Sequence, residues 1–125
     1  MRHHVAGYRL NRNKGQRTAL RRTLIKQLFE HTRIKTTSAK AKAIRGDAEK
    51  LITLAKNSAK GTDIEKVNAR RLAASTLADA TAVKKLFDEV APRFENRNGG
   101  YTRMIKLGPR LGDSADMVVL ELIED

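Results

Sequence analysis

Arg2, His3, His4, Arg9, Arg12 and Lys14 fall in an opening stretch with no acid among its residues, and Gly7, Asn11, Asn13 and Gly15 are interspersed with them. Arg2, Arg9, Arg12 and Arg17 stand here against a single Lys14. Guanidinium groups grip phosphate through two parallel hydrogen bonds and stack on bases, whereas an ammonium acts as a point charge. The chemistry this run supports is neutralisation of a polyanion, with condensed counterions released as each salt link forms. Hardly any bulky apolar residue accompanies the charges, so the segment has no means of building a core by itself. Residues 1–15 are therefore expected to form an extended basic arm that gains order on a phosphate backbone.

The arm is the head of a wider asymmetry. The first 46 residues hold thirteen Arg and Lys against one acid, Glu30, while residues 47–125 balance thirteen bases with thirteen acids. The formal net charge of +12 thus sits at one end of the chain. A segregated block of this kind meets a polyanion in a defined orientation, which an evenly basic surface does not. Arg17, Arg21, Arg22, Lys35 and Lys40 extend the candidate RNA-binding set, and Arg97, Tyr101, Arg103, Lys106 and Arg110 form a possible second contact further on.

Other chemistries find little support. His3, His4 and His31 lack metal-ligand spacing with any carboxylate. Gly112-Asp113-Ser114 superficially matches a nucleophile motif, but no histidine follows to act as its base, and a turn is the better reading. Lys60-Gly61-Thr62 follows no glycine-rich loop and reads as a helix stop and cap. Asp88 and Glu89 are neighbours in sequence and diverge on a helix. Cysteine is absent, which excludes disulfides and thiolate zinc sites. No apolar run reaches the length of a membrane span. No catalytic residue, metal, cofactor, small-molecule substrate or membrane partner is expected. A nuclease remains the weakest alternative, and a free architectural or chaperone-like nucleic-acid binder the stronger one.

The elements that must position the charges follow from periodicity. With 40% apolar content in 125 residues, one compact domain over 16–125 is expected. Leu20, Leu24 and Leu28, with Ile25 and Phe29 beside them, predict a core helix over 16–31. Arg17 and Arg21 share its apolar arc and cannot be buried unpaired, so its amino end is expected to leave the core. Residues 33–37 are β-prone, and an Ala-rich helix follows with apolar positions 41, 44, 48, 51, 52 and 55. Lys40, Lys42 and Arg45 oppose the dipole of its first turns, a conflict an external anion relieves. Thr62 and Glu65 have capping-box spacing and open a third helix whose stripe of Ile64, Val67, Leu72 and Leu77 is expected in the core. Val83, Leu86, Phe87 and Val90 predict a fourth over 81–90, stopped by Pro92. Residues 101–107 and 117–123 read as an antiparallel hairpin with a partly basic loop. The fold class is α+β: two layers, a small mixed sheet of about three strands packed against three to four helices, plus the extended basic arm.

The blocks MRHHVAGYRLNRN, RIKTTSAKAKAIRGDAEKLITLAKN and NGGYTRMIKLGPRLGDSADMVVLELIE occur in this order over nearly the whole chain. Together they resemble the family of the seventeenth protein of the bacterial large ribosomal subunit. The resemblance implies a two-layer α/β fold and a structural role in the cytoplasmic ribosome, on the solvent side of the large subunit near the nascent-chain exit. It also implies large-subunit rRNA and neighbouring large-subunit ribosomal proteins as partners, with no cofactor and no catalysis. Arg2, His3, Leu10 and Arg12 fall on the family's opening pattern, and Arg17 and Arg22 continue its basic stretch. Gln16 and His4 depart from it, at positions where a histidine and an arginine are common.

Overall fold

A computed structural model describes Tyr8, Leu10 and residues 12–123 of the chain. The first helix, α1 (Lys14–His31), begins two residues ahead of the sequence expectation because its start is capped from both sides. Asn13 Oδ1 accepts from the Gln16 N–H at 2.8 Å, and Gln16 Oε1 accepts from the Asn13 N–H at 3.2 Å. A cap of this kind is worth about 1 kcal/mol. Thr32 ends the helix in a left-handed conformation (φ 72°), its N–H bonded to the Leu28 carbonyl at 2.8 Å.

Strand β1 (Arg33–Thr37) follows at once, and Thr37 then caps α2 (Ser38–Ala59) through its hydroxyl. Helix α3 (Asp63–Leu77) starts at Thr62, whose hydroxyl accepts from the Glu65 N–H at 3.3 Å. The stripe expected in the core on this helix is largely exposed: Ile64, Val67 and Leu72 are 74%, 47% and 58% accessible. Of that stripe Leu77 is buried as expected, and Ala69 and Ala73 join it in place of the other three. Small side chains let α3 lie close to its neighbours, and the bulkier residues fall on the opposite arc.

Helix α4 (Ala80–Lys85) passes through a π-helical turn (Leu86–Val90) into a final turn, α5 (Ala91–Arg93). Pro92 therefore does not stop the helix. The wide turn bonds the Ala91 N–H back to the Leu86 carbonyl, five residues earlier, and this changed register accommodates a residue that lacks a donor.

Strands β2 (Thr102–Pro109) and β3 (Asp116–Leu122) form the expected hairpin, and the sheet order is β1-β3-β2. Both pairings are antiparallel, so the sheet is not mixed. The Leu122 N–H bonds to the Thr32 carbonyl at 2.8 Å, which pins the beginning of β1 beside the end of β3 and forces the two strands to run in opposite directions. Ile34, Thr36, Val118, Leu120 and Leu122 face α1 and α2, whereas Arg33, Lys35, Arg103, Ile105 and Glu121 occupy the opposite face. The core is continuous, and Leu28, Ile44, Ile52, Leu77, Leu86 and Leu120 within it are inaccessible to solvent.

The hairpin loop is tightly organised. A bulge between Lys106 and Gly108 places Gly108 at φ 94°, a conformation a residue without Cβ adopts freely. Arg110 grips both carboxylate oxygens of Asp113, and Asp113 Oδ1 also accepts from the Ala115 N–H at 3.1 Å. These bonds from Arg110 first, and from the Ala115 amide second, hold the Asp113 carboxyl at about 2, below its ordinary 3.8.

Two outcomes follow. Ala78, exposed and left-handed (φ 54°), closes α3; Ala78→Gly is expected to raise stability by roughly 0.5–1 kcal/mol, read as a Tm increase of about 2–4 °C. A lowered Tm would contradict the strain at this cap. Because its folded value is depressed, the Asp113 contact is complete above its ordinary 3.8 and is lost as pH falls through about 2. An NMR titration of the carboxyl carbon is expected to show that midpoint, and one near 3.8 would mean the Arg110 clasp does not form in solution.

Candidate nucleic-acid interface

The buried face of α1 is confined to Leu24, Ile25, Leu28 and Phe29. From Lys14 to Ala19 the helix is exposed apart from a half-buried Arg17, so its amino-terminal half projects past the core, as the placement of Arg17 in the apolar arc required. The first turn contains no acid, and neither does the first turn of α2. Each helix start therefore adds the positive end of its dipole, and unpaired N–H groups, to nearby Lys and Arg side chains.

Among the described residues, Lys14, Arg17, Lys35, Lys40 and Lys42 have no ion-pair partner. Arg12 Nη1 donates to the Leu10 carbonyl at 2.9 Å and meets no carboxylate among the described residues. Lys35 projects from the sheet face opposite the helices, beside Val119. Lys42 and Arg45, named from the sequence only for their conflict with the dipole of α2, belong to the same block, as does Arg33, which sequence reasoning missed although its place in the acid-poor stretch was a sufficient signal. Arg2, His3, His4 and Arg9 lie outside the described residues.

Several cations assigned to RNA from the sequence do internal work. Arg22 Nε and Nη2 donate to the carbonyls of Thr76 and Ser75 at 2.8 and 3.2 Å, satisfying the last turn of α3. Arg21 is one-third exposed; its Nη1 lies 3.9 Å from Asp47, and its buried Nε has no partner among the described residues. No local signal reports such contacts, because the partners lie far along the chain.

The second basic set is not a common patch. Tyr101 is buried against Phe94, with ring centroids 5.2 Å apart, so its ring is withdrawn from any surface contact. Burial pushes its hydroxyl pKa up, but hydrogen bonds from Lys56 and Thr53 and the Lys56 charge outweigh that and leave it below the ordinary value. Arg97 Nε donates to the carbonyls of Gly99 and Gly100 and shapes that turn. Arg103 binds Glu121, which Arg33 also approaches at 3.4 Å from the other side. Arg110 is held by Asp113, and Lys106 alone of the set is exposed with no carboxylate partner among the described residues. The charges of Arg103 and Arg110 are thus matched within the chain, while those of Lys14, Arg17, Lys40 and Lys42 around the starts of α1 and α2 have no carboxylate partner among the described residues.

Among the described residues no group of three His, Asp or Glu is placed to hold a metal ion, and no helix is long and apolar enough to cross a membrane.

Comparison with known proteins bears on this arrangement. Large ribosomal subunit protein bL17 of Geobacter metallireducens is 48% identical over all 125 residues, and the chain spans 66% of that protein, just under two thirds of its length. The bL17 proteins of Trichlorobacter lovleyi and Clostridium acetobutylicum are 47% and 49% identical, and the alignments take in 95% and 99% of their lengths and 100% and 95% of this chain. A family model described as ribosomal protein L17 matches residues 20–123, from the middle of α1 to the end of β3, and on both counts the chain belongs to the ribosomal protein L17 family.

Proposed function

We propose that this chain is a structural constituent of the large ribosomal subunit, without catalytic activity, that binds and stabilises folded large-subunit rRNA. The basic arm of residues 1–15 and the exposed amino-terminal half of α1 make the contact, joined by Lys35 and by Lys40 and Lys42 at the start of α2. Neighbouring large-subunit proteins are its further partners, and the cytoplasmic ribosome is its location.

The observation that carries this reading is the mismatch between charge and pairing. Where Arg21, Lys26 and Arg33 approach a carboxylate, it is that of Asp47, Asp79 or Glu121, all beyond the acid-poor block. The cations left over require an external polyanion. An irregular RNA surface supplies phosphates and 2′-hydroxyls that an arm and two helix starts engage together. Family membership supplies the class of RNA.

Two measurements test it. Deleting residues 1–11 spares the Asn13 cap and is expected to leave the body folded by circular dichroism while occupancy in reconstituted large subunits falls at least about tenfold. Undiminished occupancy would remove the arm from the interface. For binding to a cognate rRNA fragment, about six phosphate contacts give a log–log salt slope of roughly −5, and Arg17→Gln with Lys40→Gln is expected to flatten it by about 1.5–2. An unchanged slope would show that these two side chains do not meet phosphate, and equal affinity for duplex DNA would favour a general polyanion binder.

A further inference from the structure

Away from the acid-poor block, the carboxyl end of α2, the first half of α3 and the helical run from the π-turn onward enclose a cleft of about 490 Å³. This lies within the roughly 300–1,000 Å³ of small-molecule sites. From Lys42 to Ser58 along α2 is about 24 Å at 1.5 Å per residue, so the cleft is separate from the basic face at the start of that helix. Lys56, Lys60, Lys66 and Arg70 line it against one carboxylate, Glu95. Lys60 and Lys66 have no ion-pair partner among the described residues. Lys56 Nζ donates to the Arg97 carbonyl and to the Tyr101 hydroxyl, the latter at 2.9 Å, which fixes its charge in place.

Arg70 is the informative residue. Its guanidinium carbon lies 4.7 Å from the centroid of the Phe87 ring, and its Nη2 donates to Asp88 Oδ1 at 3.3 Å. One face of the planar group is covered by the ring and one edge is engaged by a carboxylate, while about half of the side chain remains accessible. A carboxylate ligand would compete with Asp88 for that edge. The uncovered face is suited to stacking a base, a standard means of recognising unpaired RNA nucleotides.

We propose that this cleft receives a single unstacked nucleotide of RNA, its base on the free face of Arg70 and its phosphate between Lys60 and Lys66. The choice of RNA over an acidic peptide rests on the ribosomal reading above. The site itself rests on the cleft, its charge and the braced guanidinium.

The test is an NMR titration of the intact chain with single-stranded pentaadenylate, with a blunt RNA duplex and with a pentaglutamate peptide. Pentaadenylate is expected to shift the amides of residues 56–60, 66–70 and 87–98, and the other two probes to shift them far less. Lys60→Gln with Lys66→Gln, and separately Arg70→Lys, which keeps the charge but not the plane, are each expected to weaken this response on the order of tenfold. Cleft amides that ignore pentaadenylate, or that respond equally to duplex or peptide, would overturn the proposal. An undiminished response in Arg70→Lys would overturn the stacking. The amides of residues 12–17 and 40–45 report the main interface in the same experiment, so its failure and that of the cleft are read separately.

Discussion

Close packing around α2 is the constraint from which the rest of the fold follows. This helix touches the sheet on one side and α1, α3 and the π-helical turn on others, so most of its circumference is covered. Ala41, Ala48 and Ala55 recur every seven residues along it and are all buried, with Ile44, Leu51 and Ile52 filling the space between. Small side chains at that interval let neighbours approach, and larger ones would force them apart. Because much of the middle is used for packing, the helix carries its charge at its ends and on an exposed strip that includes Lys50. Lys40 and Lys42 mark one end, Lys56 and Lys60 the other.

Much of the architecture was legible in apolar spacing. The rows Leu24–Leu28 and Val83–Leu86–Val90 were read correctly because large side chains repeat at helical intervals where only one face is buried. The same logic failed on α3, where alanines occupy the close-packed side and carry little hydropathic signal beside Ile64 and Leu72. Pro92 misled for a related reason: its local effect is strong, and only the five-residue hydrogen-bond register of the preceding turn reveals how the chain absorbs it. The strand order was open until the Thr32–Leu122 bond was seen, since pairing between distant segments leaves no periodic trace.

The candidate interface was legible to a different depth. Counting charges located the block, because acids near in sequence are the commonest partners for bases, and here they are missing. Counting did not reveal which bases are used inside the molecule. Arg22 caps a helix more than fifty residues away, and Arg103 and Arg33 converge on one buried carboxylate from opposite edge strands. Such assignments depend on three-dimensional proximity. The cleft beside Arg70 was invisible for the same reason: its cations come from two separate helices, the end of α2 and the first half of α3.

One connection has a mechanical meaning. A single residue, Thr32, separates α1 from β1, and β1 runs into α2 with no linker at all. The left-handed turn at Thr32 is bonded to α1 through its N–H and to β3 through its carbonyl, which leaves no slack to act as a hinge. Helix α1 and the sheet are consequently welded into one lever. A ligand that held the exposed end of α1 would therefore remove the rotational freedom of the described fold as a whole and set how its other surfaces are presented.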